Sequence, residues 1–250
     1  MTRMNDALAR LARRPLYSQA AAAYDDLFPR FDPKVIERLL TACDRYLGHP
    51  PTLTLNLSCG TGQYTVALAR AGLKAVGLDG ARPVLDTAGA NVQQSGATTK
   101  ITWMLANALV LPFNSAFDAC LCRGVLNDLV GPGEVEAAVR ECARTLRHGG
   151  LFLADVRESD AHARRYARQP RGRLAGPAGV TLNYDACFDP DICLITVNET
   201  LELPGGPVSH TWRMRTFCPE ELTALVKSTD LIVRGFILRT KRRTAEYEPV

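Results

Sequence analysis

Between Leu53 and Val156 the chain alternates two hydrophobic spacings. Leu53, Leu55 and Leu57 fall at every second position, and Cys120 and Cys122 alternate inside the apolar run Phe117–Cys122, which is strand spacing. Helical stretches lie between such runs, the mark of a parallel sheet covered by helices on both faces. The flanks read differently. Residues 1 to 50 predict helices over Asn5–Arg14, Ser18–Leu27 and Pro33–Tyr46, the last with Val35, Ile36, Leu39 and Leu40 on one stripe and with Pro29 and Pro33 as punctuation. Residues 157 to 179, rich in Arg, Ala, Gly and Pro, predict a mobile connection. Strands follow over Thr181–Phe188, Cys193–Leu203 and Ser209–Phe217, with Asp189-Pro190-Asp191 and Pro204-Gly205-Gly206 as turns. Pro219-Glu220-Glu221-Leu222 opens a helix, and Leu231–Leu238 predicts a last sheet strand.

The most informative junction is where the strand ending at Leu57 enters Ser58-Cys59-Gly60-Thr61-Gly62 and then a helix over Tyr64–Arg70. Glycines at such a turn let backbone approach a ligand, and the helix start offers unpaired N–H groups. A second strand, Lys74–Leu78, ends in Asp79, whose carboxylate is placed to accept hydrogen bonds from both hydroxyls of a ribose. Together they point to an adenosine-bearing cofactor. The third glycine of a dinucleotide site is Thr65 here, and no Gly-Lys-Ser/Thr is present, which disfavours NAD and excludes a P-loop.

The stretch resembles motif I of the class I S-adenosylmethionine-dependent methyltransferases. Further segments resemble the same family in order and spacing: Ala75–Asp79 its second strand, Asn107–Phe113 its Asp-Ala-x-x-Leu-Pro-Phe segment, Phe117–Cys122 its fourth strand, and Ala143–Leu153 the entry to its fifth. The resemblance covers about Leu53 to Val156. It implies a doubly wound, mostly parallel seven-stranded α/β sheet with an N-terminal helical lid and an inserted antiparallel β roof. The implied parts are a lid (1–50), a cofactor-binding core (51–156), a substrate-covering insertion (157–217) and a C-terminal helix and strand completing the core (218–250). The implied cofactor is S-adenosylmethionine, held by Tyr17, Asn56, Ser58, Gly60, Gly62, Asp79, Gly80, Asn107, Ala108 and Arg123. Four of these depart from the family: Asn56 stands for its acid, Ser58 for its first glycine, Asn107 for the Asp beside adenine, and Gly80 for a bulky apolar residue. The amides of Asn56 and Asn107 still donate and accept hydrogen bonds, without charge assistance.

Composition narrows the function. At 250 residues and 46% apolar content the chain can bury a sizeable core, and a net charge of +4 with both signs dispersed gives no basic stripe for nucleic acid. The eight cysteines contain no C-x-x-C pair and only four histidines accompany them, so no metal site is expected and a reduced, cytoplasmic protein is the better reading. No apolar run reaches the ~18 residues of a membrane span. Met1–Pro15 is basic but lacks an apolar h-region, so a surface or lid helix is expected rather than a secretory signal.

Methyl transfer is an in-line displacement that mainly requires alignment and exclusion of water, so no fixed catalytic motif is expected. Arg123-Gly124-Val125-Leu126-Asn127-Asp128 stands where base N-methylating enzymes carry an Asn-Pro-Pro-Tyr-type box. The candidates near the transferred methyl are Tyr24, Asn127 and His210. Tyr24 lies in Ala23–Phe28, which resembles the tyrosine-aspartate stretch of small-molecule methyltransferases, but helix–sheet packing accounts for it equally well. His210 shares a strand face with Trp212 and can serve as a proton-transfer group or as a structural histidine. The arginines Arg157, Arg164, Arg165, Arg168, Arg171 and Arg173 read either as a solvated face or as a grip on an anionic substrate. The expected function is N- or O-methylation of a small molecule by a monomer or homodimer. The alternatives are cyclisation or cleavage of S-adenosylmethionine itself, its non-reactive use, and a non-catalytic partner subunit.

Overall fold

The computed structural model describes residues 14–29, 31–95, 100–176, 179–239 and 244–247. The expected helix over Asn5–Arg14 lies, but for Arg14, outside the described residues. The chain begins with α1 (Pro15–Ser18), a 3-10 turn (Ala21–Ala23), α2 (Tyr24–Leu27) and α3 (Lys34–Leu47). The core follows as β1 (Leu53–Leu57), α4 (Gln63–Arg70), β2 (Lys74–Asp79), α5 (Arg82–Ser95), β3 (Ile101–Leu105), β4 (Phe117–Arg123), α6 (Val125–Asp128), α7 (Glu134–Thr145) and β5 (Leu146–Asp155). Beyond it come α8 (Ser159–Arg168), β6 (Arg171–Ala175), β7 (Thr181–Asp189), β8 (Leu194–Leu203), β9 (Gly206–Arg215), α9 (Pro219–Lys227), β10 (Phe236–Arg239) and β11 (Thr244–Tyr247).

β1 to β5 form a parallel sheet in the order β3-β2-β1-β4-β5. Side-chain alternation gives it two apolar faces. Leu55, Leu57, Cys120 and Cys122 pack with Val135, Ala138, Val139 and Cys142 of α7 and with Phe217 and Leu225. Ala75, Ala119 and Leu121 pack with Val35, Ile36, Leu39 and Cys43 of α3 and with Leu68 of α4. This is the doubly wound arrangement. Strand order reverses between β1 and β4, so the crevice expected at such a switch point opens beyond Leu57 and Arg123.

Three expectations are corrected. The sheet has five strands among the described residues rather than seven. Leu231–Gly235 forms no ladder, and Phe236–Arg239 pairs antiparallel with Thr244–Tyr247 instead of joining the sheet; Arg234-Gly235 interrupts the apolar run that suggested one strand. Ser18–Leu27 is not one helix, because the segment packs in two directions. Leu16, Ala20, Ala23 and Leu27 bury against Val180, Leu182 and Leu201, whereas Ala21 packs on Ala81 and Val84, and the chain leaves helical geometry at Ala20 (φ −119°, ψ 24°). Residues 157–179 are structured, not a bare connection. The Glu158 carboxylate accepts from the Asp160 and Ala161 N–H groups and starts α8, and β6 joins β7 to give an antiparallel sheet in the order β6-β7-β8-β9.

Candidate active site

The turn after β1 is shaped by backbone. Ser58 (φ 51°), Gly60 (φ 58°) and Gly62 (φ 85°) all lie in the left-handed region. At Gly62 a Cβ would stand 2.5 Å from Trp103 Cη2 and 3.0 Å from Ala88 Cβ, so only glycine lets α4 start there; at Gly60 a Cβ would meet nothing within 4 Å. The Asp79 carboxylate closes this bend: Oδ2 accepts from the Gly60 N–H (2.9 Å) and Oδ1 from the Ala81 N–H (3.0 Å). Burial pushes its pKa up against these backbone hydrogen bonds, which favour the charged form.

A cavity of about 420 Å³ opens beyond the bend. Its sheet side includes Ser58, Gly60, Asp79, Gly80, Asn107, Ala108 and Arg123, and Tyr17 and Tyr24 line it from the N-terminal segment. Nine of the thirteen residues singled out as cofactor-binding or catalytic candidates thus line one cavity. Asn107 Oδ1 accepts from the Leu109 N–H (2.9 Å), which fixes the turn after β3. The Arg123 guanidinium is bonded to Asp155 (Nε–Oδ2 2.7 Å) and to the Tyr64 hydroxyl, over whose ring it lies at 4.6 Å. The Tyr24 hydroxyl makes no hydrogen bond among the described residues, and Asp25 beside it accepts from Thr61 Oγ1 (2.6 Å), tying the N-terminal segment to the glycine turn.

Four of the singled-out residues lie outside the lining. Asn56 is buried and donates to Thr65 Oγ1 (2.8 Å) beneath the turn. Gly62 sits under Trp103. Asn127 is buried, donating to the Arg215 carbonyl (2.8 Å) and accepting from the Arg157 N–H (3.2 Å), so it ties α6 to β9 and to the chain after β5. His210 has the strand parity of Trp212 but lines a shallow polar groove with Arg171, Asn183 and Ser209.

Sequence reasoning missed the centre of the roof side. The Arg14 guanidinium donates from Nε and Nη2 to the two Glu199 oxygens (2.8 Å each), lies 3.8 Å over the Trp212 ring, and donates from Nη1 to Tyr17 Oη (3.0 Å). Tyr17 Oη in turn donates to Asp128 Oδ2 (3.4 Å), and Trp212 Nε1 donates to Glu199 Oε2 (2.8 Å). Burial alone would lower the Arg14 pKa, but Tyr17, Glu199 and Asp128 outweigh it and raise it. One signal for this network exists in the sequence: Glu199 is the lone acid in the inward series Ile195, Val197, Glu199, Leu201.

Residues 55–154 match the family model described as a methyltransferase domain. Over these residues the chain is similar to the class I S-adenosylmethionine-dependent methyltransferases. A ubiquinone biosynthesis O-methyltransferase of Methylococcus capsulatus is 34% identical over 106 residues, 42% of this chain and 44% of that protein. The chain spans a little under half the length of the first curated relatives it matches. Two solved structures share the fold over most of their length. A methyltransferase from Clostridium acetobutylicum has a TM-score of 0.69 at 18% identity, covering 89% of each chain. The sugar N-methyltransferase KedS8 from a Streptoalloteichus species has a TM-score of 0.62 at 17% identity, covering 82% of this chain and 79% of its own.

The methyltransferase superfamily uses S-adenosylmethionine, and the cradle fits that group. Each Asp79 oxygen takes one backbone N–H and keeps acceptor capacity, and Gly60 leaves open space beside the bend. Among the described residues there is no cluster of three metal-ligating side chains and no helix long and apolar enough to cross a membrane.

Proposed function

We propose that this protein methylates a nitrogen or oxygen of a small-molecule acceptor enclosed between the sheet edge, the N-terminal lid (1–50) and the inserted antiparallel sheet (157–217), with 51–156 as cofactor-binding core and 218–250 as its C-terminal extension. The observation that carries this reading is one cavity whose lining joins the glycine turn and Asp79 to side chains of the N-terminal segment and the antiparallel sheet. In this reading Asp79 holds the ribose hydroxyls, Ser58, Gly60 and Gly80 admit the cofactor against backbone, and Asn107 and Ala108 flank adenine. Tyr17 and Arg123 lie toward the methionine portion. When bound, the cofactor supplies a methyl group activated by the sulfonium charge.

The chain itself aligns the acceptor and keeps water out. Tyr24 offers its hydroxyl and ring to the reacting centre, and Asp128 Oδ2, linked to Tyr17 Oη, is the group placed to take a proton from an O–H or N–H acceptor. Asn127 is a positioning residue that fixes Arg157 and the Arg215 backbone, and His210 carries no step. Two similar proteins, a ubiquinone biosynthesis O-methyltransferase and a sugar N-methyltransferase, support N- or O-transfer. The eight free cysteines support work in a reducing compartment, the cytoplasm.

Calorimetry with S-adenosylhomocysteine tests the cradle. The wild type is expected to bind, and Asp79→Asn to weaken binding at least ~10-fold, about 1.4 kcal/mol. Incubation with S-adenosylmethionine and metabolite pools is then expected to release S-adenosylhomocysteine only when an acceptor is present. Methylthioadenosine formed without acceptor would replace transfer with cyclisation or cleavage, and affinity weaker than about millimolar would leave a non-catalytic subunit.

A further inference from the structure

The charges on the cavity wall do not all find partners within the protein. Arg14 is neutralised by Glu199 and Arg123 by Asp155. Two more guanidinium-bearing residues line the same cavity, Arg157 after β5 and Arg165 on α8. Neither has a hydrogen-bonded or ion-paired side-chain partner among the described residues; Arg165 lies 5.5 Å over the ring of Tyr166, which is itself buried against the roof sheet. Their backbones are well held. The Arg157 N–H donates to Asn127 Oδ1 (3.2 Å) and its carbonyl accepts from the Phe217 N–H (2.9 Å), while α8 packs through Tyr166 on Ala186, Ile195, Val197 and Met214.

Arg157 and Arg165 also share a neighbour. Both act electrostatically on His162, one turn before Arg165 on α8, whose pKa is lowered by burial and then by the two arginines. Of the carboxylates nearest in sequence, Asp160 is exposed at the start of α8 and bonded to neither arginine, and the other two have partners of their own. Glu158 accepts from the Asp160 and Ala161 N–H groups at 2.8 and 2.7 Å, and Asp155 holds Arg123 and the Gly124 N–H. Two cations that line one cavity, neither ion-paired among the described residues, offer a site that an oxyanion can neutralise. The planar guanidinium fork matches carboxylate and phosphate oxygens in pairs.

We propose that the acceptor carries a carboxylate or phosphate group and that Arg157 and Arg165 bind it, setting which end of the acceptor faces the cofactor. This rests on the methyltransferase reading above and adds the substrate class to it. The apolar and aromatic residues that line the same cavity (Leu174, Leu182, Val197, Trp212 and Met214 among them) suit a carbon skeleton attached to that anion.

The test uses the full chain saturated with S-adenosylhomocysteine and three probes of similar shape: benzoate, phenyl phosphate and neutral benzamide. Benzoate or phenyl phosphate is expected to bind about 10-fold or more tightly than benzamide, and whichever of the two is preferred identifies the anion. Arg157→Gln and the exposed Arg165→Gln are each expected to cut that preference to less than about threefold, with S-adenosylhomocysteine affinity within about twofold of wild type. Retained affinity for that nucleoside also reports that each variant is folded. Equal binding of all three probes, no binding of any, or an unchanged preference in both variants would overturn the proposal. So would loss of S-adenosylhomocysteine affinity in the variants alone, which would assign the arginines to the cofactor carboxylate. Failure of the wild type to bind S-adenosylhomocysteine is a separate result that removes the methyltransferase reading itself.

Discussion

The sheet side of the cavity and its lid–roof side are held together by different means. On the sheet side Ser58, Gly60, Asp79 and Gly80 lie within 23 consecutive positions, and backbone N–H groups fix the Asp79 carboxylate. On the other side Arg14 and Glu199 meet across a separation of 185 residues, and side chains make every bond in the network. A cradle made of backbone depends on conformation at a few glycines. A wall made of a buried ion pair depends on both partners being present, because one charge left alone in low dielectric is costly.

The largest effect separating the two sides is expected at that pair. Arg14→Met or Glu199→Leu alone should destabilise the fold by about 3–5 kcal/mol, while the double variant should cost much less than the sum. Urea denaturation of the four proteins measures this, and additive losses would mean that the lid and roof are not joined there. Next comes the glycine turn. Gly62→Ala meets both Trp103 and an unfavourable φ and should cost roughly 2–4 kcal/mol. Gly60→Ala has open space and should cost only the left-handed conformation, about 1–2 kcal/mol. Equal losses would contradict the close approach of Trp103.

The smallest effect lies at the opposite end of the sheet. Burial would raise the Asp118 pKa, but hydrogen bonds from the Thr52 hydroxyl and the Leu53 and Thr52 N–H groups, with Arg147, bring it down to about 2. A carboxylate depressed in the folded state contributes stability above its unfolded pKa, near 4, and loses it as pH falls through about 2. Asp118→Asn is expected to flatten the acid side of the stability profile in that window and leave S-adenosylhomocysteine affinity at neutral pH unchanged.

The same division explains what could be read from the sequence. Strand spacing, the glycine turn and Asp79 are local signals, and residues that carry them fall on one crevice because every parallel strand ends at one edge. The inward role of Glu199 was visible only as a polar residue among alternating apolar ones; its partner was not, because Arg14 belongs to a separate segment brought near by packing. The sequence positions of Asn56 and Asn127 border the crevice and suggest a cofactor contact and a group near the methyl, yet each turns its amide into the protein. The helix α8 was hidden by its charge: seven of the ten residues in Ser159-Asp160-Ala161-His162-Ala163-Arg164-Arg165-Tyr166-Ala167-Arg168 are polar or aromatic, and only Tyr166 is buried. The last apolar segment had the composition of a sheet strand but nothing local to specify its partner, and it formed a hairpin.

The Arg14–Glu199 clasp has a consequence for how such a molecule can change over generations. Its two halves sit at distant points of the gene, so a variant that remodels one appendage while leaving the other untouched strands a charge where water cannot reach it. New acceptor preferences are therefore expected to arise through paired changes in both appendages, inherited together, while the nucleoside-holding framework beneath them stays as it is.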